Sequence, residues 1–275
     1  MSKKCPEKRI NSLEHYLRVV RKDTSDWKLS GCPPWFRGQS TCAKPPLPGI
    51  LRHKEITEAD INSKFFKMAP MFGEAPAKED YPEWLYLMQH VGVPTRLLDW
   101  SEGALIGLFF ALSDPKEEDA GVWVLNPLEF NKATIGKCSF PEPGDIEFDQ
   151  RCQLAFYGSE SDQKPELKHP IAIIPRYTHK RMKSQKSCFT LHGTSVKDFE
   201  QILKDLDVEK GKLLRRYRIP KAKIKPILKD LRLMGITYST IFPDLDGLAL
   251  DLKNAYLVEG TDKQKAIPKD CQSKS

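Results

Sequence analysis

The chain has 275 residues, 40% of them hydrophobic, which is enough for one large domain or two small ones with a buried core. No apolar run approaches the length that spans a bilayer, and the charged N-terminus lacks the apolar segment of a secretory signal, so we expect a soluble, cytoplasmic protein with no membrane partner. Seven scattered cysteines argue against a disulfide framework and a zinc site, and the net charge of +7 suits a polyanionic partner.

The N-terminal part of the chain predicts a helix that precedes the main domain. Asn11 and Glu14 have the spacing of a helix start, and apolar residues then recur at helical spacing until about Lys22. We therefore assign residues 1–29 to an N-terminal helix.

The segment WFRGQS (35–40) predicts a short aromatic strand that ends in polar residues. Arg37 offers a rigid fork of donors that suits a phosphate. Gly38 lets a ligand approach the backbone closely, and Gln39 adds a neutral donor. The alternative is that Arg37 pairs with an acid such as Asp99, and the local motif alone favours this second interpretation.

Residues 81–114 predict a helix, a short buried strand in TRLLDW, and a second helix. His90 lies near the end of the first helix, where it either caps the helix or acts on a substrate. Trp100 either packs in the core or stacks on a base or a nicotinamide. Ser101 is most simply a helix N-cap, as Asp99 also could be, and the absence of a glycine elbow around Ser101 argues against a serine hydrolase.

Beyond residue 120 the pattern mixes strands and helices without a regular β-α-β alternation, which predicts an α+β fold. Two basic runs, Arg176–Lys186 and Arg215–Lys225, are typical of solvated surfaces and of nucleic-acid phosphate contacts. Asp244 and Asp246 fit either a cation site or an ordinary turn. The polar residues 256–275 predict a tail.

Taken in order, these motifs resemble the FRG domain family, which is named for an aromatic-Arg-Gly motif. That motif is Phe36-Arg37-Gly38 here, and the resemblance continues through LPGILR, QHVGVPTRLLDWSEGALIGLFFAL, CFTLHG, IPKAKIKPIL and TIFPDLDGLALDL. We therefore assign residues 30–255 to one FRG domain.

A second resemblance is to arginine-type ADP-ribosyltransferases, in which an aromatic-Arg-Gly strand holds the phosphates of NAD. This resemblance implies a single mixed domain with a split sheet and flanking helices. It implies that Arg37 grips the pyrophosphate, with Gly38, Gln39 and Asp99 around the ligand. Ser101 then supports the nicotinamide end, beside Trp100 or His90. Gln185 stands where those enzymes have a catalytic glutamate, and a glutamine can orient a ribose but cannot act as a base.

The leading hypothesis is therefore an enzyme that uses NAD to ADP-ribosylate a nucleic acid or a protein, as a bacterial toxin or phage-defence effector with an antitoxin or other partner protein. The missing charge would come from Asp244, Asp246 or Glu147. The alternatives are a non-catalytic module that binds nucleotide or nucleic acid, and a scaffold in which VPTRLLDW is mainly architectural.

Overall fold

The computed structural model describes residues 7–27, 31–53, 55–73, 75–158, 165–208 and 210–258. Within these residues it has seven strands: β1 (Glu7–Arg9), β2 (Trp35–Gln39), β3 (Leu97–Ser101), β4 (Ala120–Leu125), β5 (Ile171–Ile173), β6 (Ser187–Leu191) and β7 (Leu214–Ile219). They form one sheet in the order β1-β7-β4-β2-β3-β6-β5, in which β1 is parallel to β7 and the other pairs are antiparallel.

The described residues also contain twelve α-helices, several of them only one turn long. They are α1 (Leu13–Thr24), α2 (Glu58–Met68), α3 (Tyr81–His90), α4 (Ala104–Leu112), α5 (Pro127–Ile135), α6 (Ile146–Tyr157), α7 (Lys180–Ser184), α8 (Phe199–Asp205), α9 (Lys210–Leu213), α10 (Lys221–Leu233), α11 (Tyr238–Ile241) and α12 (Leu245–Lys253). Helices and a mixed sheet in one arrangement confirm the predicted α+β class.

Helices cover both faces of the sheet. On one face, α1, α4 and α10 pack against β4 and β7 around residues such as Tyr16, Leu108 and Val122. On the other face, Trp35 and Trp123 pack with the aromatic residues of α5 and α8. Because α1 belongs to the same hydrophobic cluster as the sheet, the N-terminal segment contributes to the core of the domain.

Two further features concern the predicted segments. The predicted N-terminal segment contains a strand as well as a helix, since β1 extends the sheet beside β7. The predicted boundaries at residues 30 and 255 stay predictions, and the predicted tail lies outside the described residues from residue 259 onward. No described helix has both the length and the apolar character required to cross a bilayer.

A tight turn sets α3 against β3. Asp80 caps α3 by accepting a hydrogen bond from the amide of Glu83, and Pro82 occupies the first turn, where it lacks an amide to satisfy. Gly92 ends the helix in the left-handed region, with φ of 85°. The chain then reverses into β3, so the end of α3 lies beside the strand that follows it.

Candidate functional site

The site begins where the sheet splits between β2 and β3. These two strands pair at a single position, Phe36 with Ser101, whereas each pairs over five positions with its other neighbour. Beyond that position β2 diverges from β3, and a cavity of about 340 Å3 opens between them. The two strands remain neighbours in one seven-stranded sheet, and their short pairing leaves the strand that carries Arg37 open on this side.

The cavity is lined by six parts of the chain that are distant in sequence: β2, α3, β3, α4, the α7–β6 segment, and the residue that follows α11. Its lining residues are Phe36, Arg37, Gly38, Tyr86, Gln89, His90, Asp99, Trp100, Ser101, Phe110, Arg181, Met182, Gln185, Ser187, Phe189 and Phe242. All the predicted site residues except Gln39 therefore contribute to one cavity wall.

Arg37 bridges the gap between the two strands. Its Nη1 donates a hydrogen bond to the backbone oxygen of Asp99 at 2.7 Å and lies 3.5 Å from the Asp99 carboxylate. Its buried Nε has no hydrogen-bond partner among the described residues. Burial lowers the pKa of Arg37, Asp99 opposes that change and Arg52 adds to it, but a guanidinium stays charged at neutral pH.

The pairing of Arg37 with Asp99 does not close the site. The Asp99 side chain is 55% exposed and its contact with Arg37 is long, so the ion pair is loose and solvated. The guanidinium lies beside an open cavity instead of being sealed against the acid. Arg37 thus pairs with Asp99, as one interpretation of the sequence expects, and still faces a cavity, as the phosphate-binding interpretation requires.

A short hydrogen-bond chain fixes Asp99 at the cavity. Gln89 donates to the Asp99 carboxylate at 2.8 Å, and the hydroxyl of Thr95 donates to Gln89 at 2.6 Å. Among the described lining residues, Asp99 is the only one with a carboxylate. Sequence reasoning did not single out Gln89, although its position next to His90 at the end of the predicted helix was a signal.

Ser101 and Gln185 join β3 to the segment that precedes β6. The Ser101 hydroxyl donates to the backbone oxygen of Gln185 at 2.7 Å and accepts from the amide of Gly103 at 3.0 Å. The residue at the N-cap of α4 is Gly103, so the expectation that Ser101 or Asp99 caps this helix is wrong. Gln185 lines the cavity, and its side-chain amide donates to the carbonyl of Ile241 at 3.3 Å.

Three predicted ligand contacts need correction. The space in front of Gly38 is filled by the backbone of α4, so this glycine permits helix packing and not the approach of a ligand. The Gln39 side chain is not among the cavity residues, and its buried Oε1 has no partner in the described part of the chain. The Trp100 ring is buried in the core, where it donates to Thr190 at 3.1 Å, so it is not available for stacking on a ligand.

His90 of α3 and Arg181 of α7 are two polar residues that line the cavity. The ring of His90 stacks on that of His179, with centroids 4.5 Å apart. Burial, followed by the nearby charges of His179 and Arg181, lowers the pKa of His90. Arg181 lies over the ring of Phe242 and donates from Nε to Asp244.

The acids proposed to supply a missing charge lie elsewhere. Asp244 is bonded to Arg181 and also caps α12 by accepting from Gly247. Asp246 is 91% exposed. Glu147 lies on α6, outside this cavity, and pairs with Lys137. In the described residues, no three His, Cys, Asp or Glu side chains lie close enough to hold a metal ion.

The two basic runs differ in how many of their cations form ion pairs within the fold. In the first run, Arg181 reaches the cavity, and Lys180, Lys183 and Lys186 are exposed. In the second run, four cations form ion pairs within the fold: Arg215 with Asp23 and Asp26, Arg216 with Glu7, Arg218 with Glu7 and Asp119, and Lys221 with Glu117. The second run therefore helps to hold β1 and the loop before β4 against β7.

Comparison with known proteins identifies one family. Residues 33–120 match the family model described as FRG domain, which confirms the predicted resemblance for that segment. The matched segment supplies the cavity wall from Phe36 to Phe110, and the wall from Arg181 onward lies outside it. No curated protein and no solved structure matches the chain.

Proposed function

We propose that this chain, which carries an FRG domain at residues 33–120, is an NAD-dependent ADP-ribosyltransferase whose substrate binds in the cavity between β2 and β3. One observation carries the proposal. The guanidinium of Arg37 lines the cavity where β2 diverges from β3, and its 3.5 Å contact with the Asp99 carboxylate is long and solvated. A cation that is paired this loosely is available to an anionic ligand, and a guanidinium fork fits a pyrophosphate well.

The size and lining of the cavity support a dinucleotide substrate. A volume of about 340 Å3 is within the range of small-molecule sites and accommodates part of NAD, so the rest of the molecule extends toward solvent. The aromatic rings of Tyr86, Phe110, Phe189 and Phe242 line the cavity and offer apolar surface to a nicotinamide ring. Arg181, which pairs with Asp244, adds a second cation to the lining.

The chemistry is a transfer of the ribosyl group. The bond between ribose C1′ and the nicotinamide nitrogen breaks, and its electron pair neutralises the pyridinium as nicotinamide leaves. A nucleophile of the acceptor forms the new bond to C1′ and releases a proton. Asp99 is the carboxylate available to stabilise the positive charge that develops on the ribose, and Gln185 orients a ribose hydroxyl.

Ser101 has a positioning role in this scheme. Its hydroxyl is already bonded to the carbonyl of Gln185 and the amide of Gly103, so it holds the segment that carries Gln185 against the end of β3. Loss of this link would move Gln185 relative to Asp99. Ser101 thus acts on the ligand through its neighbour.

A second candidate is a module that binds a nucleotide without turning it over. The observation that favours it is Gln185, which provides no base at the position where the resembling enzymes have an acid. The exposed lysines of the first basic run would extend such a site toward the phosphates of a nucleic acid.

Calorimetry with NAD and nicotinamide release test the two candidates together. Arg37→Ala should weaken NAD binding by about ten- to a hundredfold, because it removes charged hydrogen bonds to phosphate. Asp99→Asn should keep binding and reduce release by about a hundredfold. Arg18→Ala, which changes an exposed arginine of α1, is the matched control and should behave as the wild type.

The outcomes separate the candidates. NAD binding that depends on Arg37, without nicotinamide release in the presence of cell extract, supports the non-catalytic module. No NAD binding by the folded wild type refutes the transferase, and failure to bind other nucleotides and oligonucleotides as well refutes the binding module. For the proposed cytoplasmic toxin or phage-defence role, induced expression should arrest bacterial growth, and Arg37→Ala should relieve the arrest.

A further inference from the structure

A second, larger cavity shares Tyr86 with the first one. Its volume is about 590 Å3, and it is formed by the first turns of α3, the residues before α6 and the first turns of α6, and the residues after β5. Tyr81, Tyr86 and Phe148 give it aromatic walls. None of the predicted site residues lines it, so the proposed NAD site leaves it without a role.

The polar groups of this second cavity are mostly acidic. Glu79, Asp80, Glu83 and Asp149 line it, together with one cation, Arg176. Asp80 and Asp149 already accept backbone hydrogen bonds, whereas Glu79 is exposed and has no ion-pair partner among the described residues. Burial, followed by the charge of Asp80, raises the pKa of Glu83, as expected where carboxylates crowd together, and both Arg176 and a hydrogen bond from Thr178 oppose the change.

Tyr86 provides an independent sign that this cavity can bind a polar ligand. The residue is only 5% exposed, and its hydroxyl has no hydrogen-bond partner among the described residues. The hydroxyl is not one of the buried, unpartnered polar atoms, so it reaches the surface of a cavity. Tyr86 follows Glu83 by three residues on α3, so the two side chains lie on the same face of the helix, and both line the second cavity.

The ring of Tyr86 is also the wall between the two cavities. It stacks on Phe189, which lines the first cavity, with centroids 5.5 Å apart. A group bound in the second cavity would thus lie one aromatic ring away from the proposed NAD site. This placement suits a group that anchors the acceptor, while a neighbouring part of the acceptor enters the first cavity.

We propose that the second cavity binds the guanidinium group of an arginine side chain on a protein acceptor. Carboxylates that face aromatic rings are the environment in which guanidinium groups bind, through charged hydrogen bonds and through contact with ring faces. The anchoring role rests on the proposed transferase function. The binding itself does not, because it requires no NAD.

The test uses a matched pair of small probes, N-acetylarginine amide and its neutral urea analogue N-acetylcitrulline amide, titrated into the full chain and followed by 1H–15N NMR. The arginine probe should shift signals from α3 and α6, and the citrulline probe should bind at least about tenfold more weakly. Glu83→Gln should weaken binding of the arginine probe about tenfold and Tyr86→Phe about threefold. Glu14→Gln changes an exposed acid in the first turn of α1 and should leave binding unchanged.

Several results would overturn the inference. Equal binding of the two probes would show that charge is not recognised, and signal changes confined to other elements would place the site elsewhere. Binding of an oligoadenylate to the same cavity, with no response to the arginine probe, would favour a nucleic-acid acceptor. If Glu83→Gln fails to fold, Tyr86→Phe, which removes one oxygen, decides the question.

The result is independent of the outcome for NAD. Nicotinamide release without binding of the arginine probe would reject the acceptor subsite and leave the transferase intact. Binding that depends on Glu83 in a protein that does not turn over NAD would keep the cation site and reject the transferase.

Discussion

Replacing Gly38 by alanine should destabilise the fold, because this residue lies against the backbone of α4. A Cβ at position 38 would be 2.8 Å from the carbonyl carbon of Phe110 and closer still to the carbonyl oxygen of Gly107 and the amide nitrogen of Ala111. No side-chain rotation can relieve contacts with backbone atoms. The strand and the helix must therefore separate, and the hydrophobic cluster between them must loosen.

The expected cost is at the upper end of the range for overpacked cores, about 3 kcal/mol of the free energy of unfolding. Gly73→Ala is the control, since a Cβ at Gly73 meets no atom within 4 Å and its backbone is not in the left-handed region. That substitution should be neutral or stabilise the chain by up to about 1 kcal/mol, because it restricts the unfolded state.

Urea unfolding of the two variants, monitored by circular dichroism, measures both values. Gly107→Ala should behave like Gly38→Ala, because a Cβ at Gly107 would be 2.5 Å from the Cβ of Phe36. If Gly38→Ala unfolds within about 0.5 kcal/mol of the wild type, at the same slope against urea, the close approach of β2 to α4 is refuted.

Two further predictions concern buried ionisable groups. Burial, followed by Arg96 and Arg37, lowers the pKa of His192 from 6.5 to about 3. Since the unfolded chain takes up the proton first, stability should be complete above about pH 6.5 and fall by about 1.4 kcal/mol per pH unit toward pH 3. His192→Asn should flatten this dependence in denaturant titrations at several pH values, and an unchanged slope would contradict the assignment. Glu58 forms a bidentate, largely buried ion pair with Arg96 at 2.8–3.0 Å. Glu58→Gln should therefore lower the free energy of unfolding, measured in urea, by about 3 kcal/mol. A change near zero would show that the pair is solvated.

The cavity wall was predictable where the signal was local. The change from aromatic to polar residues at Arg37 and the strand end at Ser101 mark the two edges of the split, and both are visible in short stretches of sequence. Arg181 and Phe242 were not predicted as cavity residues. They reach the cavity through packing of α7 against the residue after α11, which joins segments about 60 residues apart and leaves no local pattern.

The second basic run shows why charge density alone was insufficient. Arg215 and Arg216 are adjacent to further cations in sequence, which is typical of an exposed surface. Their acidic partners Asp23 and Glu7 are near the other end of the chain, and only the pairing of β1 with β7 brings them together. Sequence spacing reports the charge of one strand and not that of its neighbour.

The three residues of the motif Phe36-Arg37-Gly38 explain why the fold and the site were difficult to separate. Strand alternation directs Phe36 and Gly38 to the face covered by α4, and directs Arg37 to the opposite face, from which it reaches the backbone of Asp99. Because the contact of Gly38 with α4 fixes the height of β2 above the helix, it also sets the 2.7 Å distance from Arg37 to the Asp99 carbonyl. A substitution at Gly38 that spares folding should therefore still weaken NAD binding, whereas one at Arg37 should weaken binding and spare folding, so the two effects together assign architecture to the glycine and ligand binding to the arginine.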